Sequence, residues 1–251
     1  NNLKVRASYG ELGNDAGIDS FRYLEFFGFG GAFVDNGSVA QTVSSNGIAD
    51  PATTWEKAKT YNLGLEVGLW NNLFTLEADA FYKRTSDILT TRALEIPETF
   101  GANLPLENIG IVDNKGFEII LNHRNRVNGF DYYANFNVGH AKNKIIDIAE
   151  AEDVDPLRSL TGRSIGTRFG FLADGLFLTQ QEIDDLNASA PDGEYQTLDP
   201  QPGDIRYVDV NGDGKVDNDD RTVIGRGSVP EVTFGLNLGV SYKQFDFSAL
   251  F

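Results

Sequence analysis

Apolar residues fall at every second position in stretch after stretch of this chain. That period commits those stretches to β-strands with one apolar and one polar face. In residues 58–70, Tyr61, Leu63, Leu65, Val67 and Leu69 share one face, and Asn62, Gly64, Glu66 and Gly68 share the other. Asn71-Asn72 then predicts a tight two-residue hairpin, because Asn tolerates positive φ. The following strand sets Phe74, Leu76, Ala78, Ala80 and Tyr82 against Thr75, Glu77 and Asp79, with Phe81 as the exception. The same alternation recurs at residues 3–9, 117–122 (Ile120 being out of pattern), 130–139, 232–242 and 245–251. Further short turns are expected at Val127-Asn128-Gly129 and Lys243-Gln244.

Such strands suit two architectures: a soluble sandwich or barrel hides its apolar face, and a membrane barrel turns that face to lipid around a wet lumen. Three features favour the second. The polar faces carry Glu66, Glu77, Asp79, Glu118 and Asp131 beside Gly and Asn. Tyr9, Trp70, Tyr82 and Tyr242 sit near strand ends, where interfacial girdles belong. Two- or three-residue turns alternate with connections of roughly 25 to 90 residues, as short periplasmic turns alternate with long external loops. The predicted fold is all-β: an antiparallel transmembrane β-barrel segment of about seven spanning strands with long extracellular loops. Seven strands do not close into the usual even-numbered barrel, and open edges in lipid leave backbone groups unsatisfied. Residues 1–251 therefore read as part of a larger barrel, cut at both ends, with no sign of a second domain or internal linker.

Composition agrees and excludes several function classes. Eighteen Phe, nine Tyr and 27 Gly among 251 residues favour strands and turns. The absence of Cys excludes disulfides, thiolate metal sites and a cysteine nucleophile. A net charge of -16 argues against a nucleic-acid partner, which needs a clustered basic surface. No run is long and apolar enough for a transmembrane helix, and no signal peptide is visible. No nucleophile elbow or phosphate loop is present, and His123 and His140 fall on the apolar register near strand ends. Asp and Glu are too plentiful to nominate a glycosidase pair. No enzymatic activity is expected.

Two loop features bear on binding. Residues 209–220 read DVNGDGKVDNDD, which places Asp209, Asn211, Asp213, Asp217 and Asp220, with the Lys215 carbonyl, at the ligand positions of a twelve-residue calcium loop. Gly214 falls at its sharp turn, and Asp220 stands where a longer Glu gives bidentate reach. Strands rather than paired helices surround it, so the expected Ca2+ is a structural staple on the extracellular side. The alternative is an acidic loop of Asx turns holding no ion. The second feature is an aromatic, Gly-rich stretch with Phe21, Tyr23, Phe26, Phe27, Phe29 and Phe33. Phe26, Phe27, Phe29 and Phe33 are candidates for contact with substrate or a covering lid; packing of loop on loop is the plainer alternative. Thr179–Glu182 forms a capping box predicting a short helix to about Leu186.

Five ordered stretches carry a resemblance: LKVRASYGELGN (3–14), WEKAKTYNLGLEVGLWNN (55–72), NIGIVDNKGFEI (108–119), GRSIGTRFGFLADGLF (162–177) and GDIRYVDVNGDGKVDNDDRTVIG (203–225). Together they resemble the C-terminal barrel part of the SusC/RagA family of TonB-dependent outer-membrane transporters. The resemblance implies a barrel of about 22 strands around an N-terminal plug, both plug and earlier strands lying outside these residues. It further implies the outer membrane of a Gram-negative bacterium, energy from the TonB complex, a SusD-like lipoprotein lid, and import of oligomeric glycans or peptides. Two rival readings stand beside it: a soluble or surface-anchored calcium-dependent carbohydrate-binding β module, and a structural barrel in a secretion or adhesion assembly.

Overall fold

The computed structural model describes residues 1–251 except 19, 46–47, 92–103, 152, 198 and 228. The chain divides into two compact units, Asn1–Ala151 with Pro230–Phe251, and Glu152–Val229. The first contains β1 (Asn2–Asn14), β2 (Phe27–Asp35), β3 (Ser38–Ser45), β4 (Glu56–Leu69), β5 (Phe74–Thr90), β6 (Glu107–Val127) and β7 (Phe130–Asp147). The second contains β8 (Arg168–Gly170), β9 (Ala173–Leu176), α1 (Gln180–Ser189), β10 (Ile205–Tyr207) and β11 (Thr222–Gly225). The chain then returns to the first unit with β12 (Val232–Tyr242) and β13 (Phe245–Leu250).

Seven strands form one antiparallel sheet in the order β1-β4-β5-β6-β7-β12-β13. Each strand therefore pairs with its predecessor in the sheet, and β1 and β13 are its edges. Through the middle of the sheet the register aligns apolar with apolar. Val5 pairs Leu65, Leu65 pairs Ala78, Ala78 pairs Ile119, Ile119 pairs Val138 and Val138 pairs Phe234. A one-residue slip anywhere would exchange the two faces, so the alternation fixes this pairing.

The tight connections all lie at one end of the sheet: residues 70–73, Asn128-Gly129 and Lys243-Gln244. The β4–β5 turn is longer than the two residues expected. Trp70, Asn71 and Asn72 all take positive φ, and Leu73 N donates to Trp70 O at 3.2 Å. The long connections β1–β4, β5–β6 and β7–β12 lie at the other end. Between β5 and β6 the connection is shorter than the alternation implies, because both strands continue outward on polar pairs such as Arg84–Asp113. A polar continuation has no hydrophobic period to reveal it.

The described residues of its own unit leave the apolar face of the sheet uncovered. Leu63 is 59% exposed and Phe234 70%. The hairpin β2–β3 pairs only with itself. A soluble sandwich would bury these side chains in an interior about 10 Å thick; here the sheet is a single layer. On the polar face, glycines seat large rings. A Cβ on Gly116 would meet the Phe81 ring at 2.8 Å, and one on Gly239 would collide with Tyr133. Phe81, which breaks the alternation of β5, is thus packed over the bare backbone of β6, as aromatic residues commonly cover strand glycines.

The second unit has a small core of its own around Phe177, Ile183 and Val216. Two short ladders, β8 with β11 and β9 with β10, bracket the helix. Thr179 caps α1, its Oγ1 accepting from Glu182 N at 3.2 Å, while Glu182 Oε2 accepts from Leu178 N at 3.0 Å. The helix runs to Ser189, beyond the Leu186 expected, and stops before Pro191, which disfavours helical geometry at the residue it follows. Buried Gln196 extends the β10 ladder with its side chain: Nε2 donates to Ile205 O at 3.0 Å, and Oε1 accepts from Tyr207 N at 3.0 Å.

Candidate functional site

The polar face of the seven-stranded sheet carries the first group of candidate residues. Arg6, Gly64, Asp79 and Glu118 lie in one row across β1, β4, β5 and β6. Arg6 reaches over Gly64 to place Nη2 2.9 Å from Asp79 Oδ2, and its Nε lies 3.2 Å from Glu66 Oε1. Lys4 adds a contact of 3.3 Å to the same Glu66 oxygen. A Cβ at Gly64 would lie 3.0 Å from Arg6 Nε and overlap the Asp79 carboxylate, so glycine is what admits this link. All four charged side chains are partly exposed, so each pair is worth little alone. Together they hold the wall's charges in fixed places, while Glu77 and Glu118 leave that wall acidic. The sequence contains these residues, but their pairing is visible only once the strand register is known.

The 209–220 loop is held by its own carboxylates. Asp209 accepts from Gly212 N at 2.6 Å and from Gly214 N at 2.8 Å. Asn211 Oδ1 accepts from Asp213 N at 2.9 Å, and Asp213 Oδ1 from Lys215 N at 3.1 Å. Asp220 is fully buried; its Oδ1 accepts from Val210 N at 2.7 Å and Asn211 N at 3.2 Å, and its Oδ2 from Asp217 N at 2.8 Å. Asp217 caps the short 3-10 turn Asn218–Asp220 and accepts from Asp219 N at 2.9 Å. Gly214, at φ +93, makes the turn that side chains rarely permit.

The Asp219 amide, and then the Lys215 ammonium 3.2 Å away, hold the Asp217 carboxyl below its ordinary range. Asp217 in turn raises Lys215. Among the described residues, no three carboxylate or imidazole groups converge to hold a metal. The predicted ligand residues are nonetheless consecutive parts of one loop, and each of these carboxylates retains lone pairs beyond its amide bonds. A hard cation's oxygen donors are thus present, with Lys215 beside them as a competing positive charge.

The four phenylalanines do not form one patch. Phe26 precedes β2, and Phe27 and Phe29 pair with Ser45 and Val43 on one face of the β2–β3 hairpin. A register shift at Gly30-Gly31 then puts Phe33, opposite Ala40, on the other face. A Cβ at Gly30 would lie 2.7 Å from Thr42 Oγ1, the hydroxyl that donates to Gly31 O at 2.7 Å. Phe27 and Phe29 are joined instead by Val34, Val39 and Val43, with Phe29 80% exposed. Sequence reasoning also missed Arg206, whose Nε lies 2.8 Å from Asp174 Oδ1 and whose Nη1 contacts Glu182. That triad ties the β9–β10 ladder to α1.

A single-layered sheet with an uncovered apolar face, an acidic opposite face and all its long connections at one end is the wall of a membrane β-barrel. Within the chain that wall is open. Residues 1–250 match the family model described as "TonB dependent receptor-like, beta-barrel", and the chain belongs to that family. It is 32% identical to TonB-dependent receptor P26 of Formosa agariphila over 99% of this chain and 25% of that protein. It is 25% identical to TonB-dependent receptor SusC of Bacteroides thetaiotaomicron, over 98% of this chain and 24% of SusC. Among solved structures, the RagAB peptide importer in its "open-open" state superposes with a TM-score of 0.70 at 19% identity, covering 100% of this chain and 25% of that one. The chain spans about a quarter of the length of these relatives. The expected SusC/RagA-like outer-membrane barrel is thereby established, and with it the Gram-negative outer membrane as its location.

Proposed function

We propose that this chain forms part of the barrel wall of an importer that takes up oligomeric nutrients, glycans or peptides, across the outer membrane with energy from the TonB complex. The carrying observation is the seven-stranded sheet with its exposed apolar side chains on one face, suited to lipid, and Arg6, Glu66, Asp79 and Glu118 on the other, suited to a wet passage. The passage binds and conducts; no residue of it is assigned a chemical step. A SusD-like lipoprotein covers the external connections, and the apolar hairpin face of Phe27, Phe29, Val34 and Val43 supplies a surface for it. SusC itself and the RagAB peptide importer are the relatives that favour this reading over the calcium-dependent soluble module and the secretion or adhesion barrel.

The 209–220 loop takes Ca2+ in the same reading, through Asp209, Asn211, Asp213, Asp217 and Asp220 with the Lys215 carbonyl. The ion neutralises clustered carboxylates and orders a long external connection. It plays no part in transport chemistry.

A strain lacking the gene tests the import reading. It should lose growth on one class of oligosaccharide or oligopeptide and regain it with the intact gene. Uptake that persists after collapse of the proton gradient, or unchanged growth on every oligomer of both classes, would overturn it.

A further inference from the structure

The outward face of the barrel wall is not apolar along its whole height. On β4, the lipid-facing residues from Leu69 to Tyr61 span eight residue steps, about 27 Å along the strand. With the usual tilt this consumes most of an apolar band about 25 Å tall. Towards the long connections the same face turns cationic at once. Lys57 and Lys59 continue it on β4, Arg84 on β5, Lys115 on β6, and Lys142 and Lys144 on β7. The register makes them neighbours: Lys59 is opposite Arg84, Arg84 opposite Asp113, Asp113 opposite Lys144, and Lys115 opposite Lys142. All six cations are exposed.

The counter-charges on this face are few. Asp113 is taken by Arg84 in a two-pronged contact of 2.7 and 2.8 Å, and Asp87 by Lys57 at 3.0 Å. Glu11, opposite Lys59, accepts from Tyr9. Lys59, Lys115 and Lys142 make no ion pair with a described residue, and Lys144 has only the longer-range attraction of Asp113, whose carboxylate Arg84 already engages. At the tight-turn end the same face holds Leu69, Phe74, His123, Tyr132 and Tyr242, with no Lys or Arg inside the described strands. In a chain of net charge -16, this one-sided cluster is not a general surface property.

We propose that the outer face of β4–β7, directly beyond the Tyr9–Tyr61–Tyr82 ring row, docks phosphate-bearing headgroups of the outer-leaflet lipid. Four adjacent strands present the cations across about 15 Å, and successive same-face residues lie about 7 Å apart. A phosphate can therefore meet two or three ammonium groups at once, while its acyl chains lie along Leu63, Ala80 and Phe117 below. Charge complementarity selects an anionic headgroup, and the outward aspect of the face selects a lipid over any solute in the lumen.

The test uses the full-length transporter reconstituted in phosphatidylcholine with spin-labelled phosphatidic acid or spin-labelled phosphatidylcholine as probe. The native protein should retain phosphatidic acid several-fold more strongly in its motionally restricted lipid shell. The K59Q/K115Q/K142Q/K144Q variant should bring that ratio close to one, a loss of up to about fivefold for each lysine that contacts phosphate. Lys83→Gln removes one positive charge from the opposite face, as each single lysine replacement does from this one, and should change nothing. Should the quadruple variant fail to assemble, Lys142→Gln and Lys144→Gln singly should each lower the ratio. Equal retention of both lipids by the native protein would overturn the proposal. So would full competition by inorganic pyrophosphate, which would make the site one for a soluble anion.

Discussion

Asp220 is the residue on which the second unit's acidic loop closes, and its replacement has a calculable effect. Its buried carboxylate accepts three backbone N–H groups, from Val210, Asn211 and Asp217. A hydrogen bond to a charged group contributes about 1.5–3 kcal/mol, and a buried donor left unmatched costs about 1–3 kcal/mol. Asp220→Ala strands three donors at once, so at about 1–3 kcal/mol each it should destabilise the loop by about 3 kcal/mol or more. Asp220→Asn is gentler. Its carbonyl oxygen retains the Val210 and Asn211 bonds, while its NH2 faces the Asp217 N–H, leaving about one bond's loss. Hydrogen exchange on the intact protein reads this directly. Protection at Val210, Asn211 and Asp217 should fall by two or more orders of magnitude in the alanine variant, and chiefly at Asp217 in the asparagine variant. Unchanged protection at all three amides would refute the closing role.

On the sheet, Leu65→Arg should cost about 2–4 kcal/mol of membrane stability, the penalty for a charge on the lipid face near mid-bilayer. Gly64→Arg should insert but displace the Arg6–Asp79 link, so heat-resistant folding in a bilayer assay should separate the two variants; equal folding would reverse the assigned faces. In the loop, the Asp217 carboxyl has a folded pKa below its unfolded value. Its contribution is therefore complete above about pH 4 and lost as pH falls through the lower folded value. Exchange at the Asp219 amide should show that acid step, and Asp217→Asn should abolish it; a step on raising the pH would contradict the sign. Added Ca2+ should increase protection across 209–220 and chelation should reverse it, and indifference to both would show that the loop holds no ion.

The faces of the seven spanning strands were legible because lipid and lumen impose a strict period of two, which Leu63, Leu65 and Val67 keep on one side. Strand ends were less so: Arg84 and Asp113 extend β5 and β6 through charge pairing, which leaves no apolar signature. The compact unit 152–229 was also hidden. Its ladders are three or four residues long, and its core rests on separated residues such as Phe177, Ile183 and Val216. The spacing of Asp209, Asn211, Asp213, Asp217 and Asp220 picks out the 209–220 loop as a candidate calcium site, yet spacing cannot show that Asp220 is turned inward to backbone amides. Phe33 was separated from Phe27 and Phe29 by a bulge, which shifts the face of every later residue by one. Arg6 and Asp79 are distant in sequence and meet only across a glycine on the intervening strand.

In a membrane wall the apolar face of this sheet meets lipid and the polar face meets water. The chain has no cysteine, so one introduced cysteine at each of positions 61–69 in turn gives this segment a single labelling site. Spin labels at these positions in the full-length protein, reconstituted in bilayers, report collision with apolar oxygen and with a water-soluble nickel chelate. Oxygen accessibility should peak at Tyr61, Leu63, Leu65, Val67 and Leu69, and nickel accessibility at Asn62, Gly64, Glu66 and Gly68, with the two profiles in opposite phase. Profiles in the same phase, or nickel dominant at Leu63, Leu65 and Val67, would contradict the membrane wall.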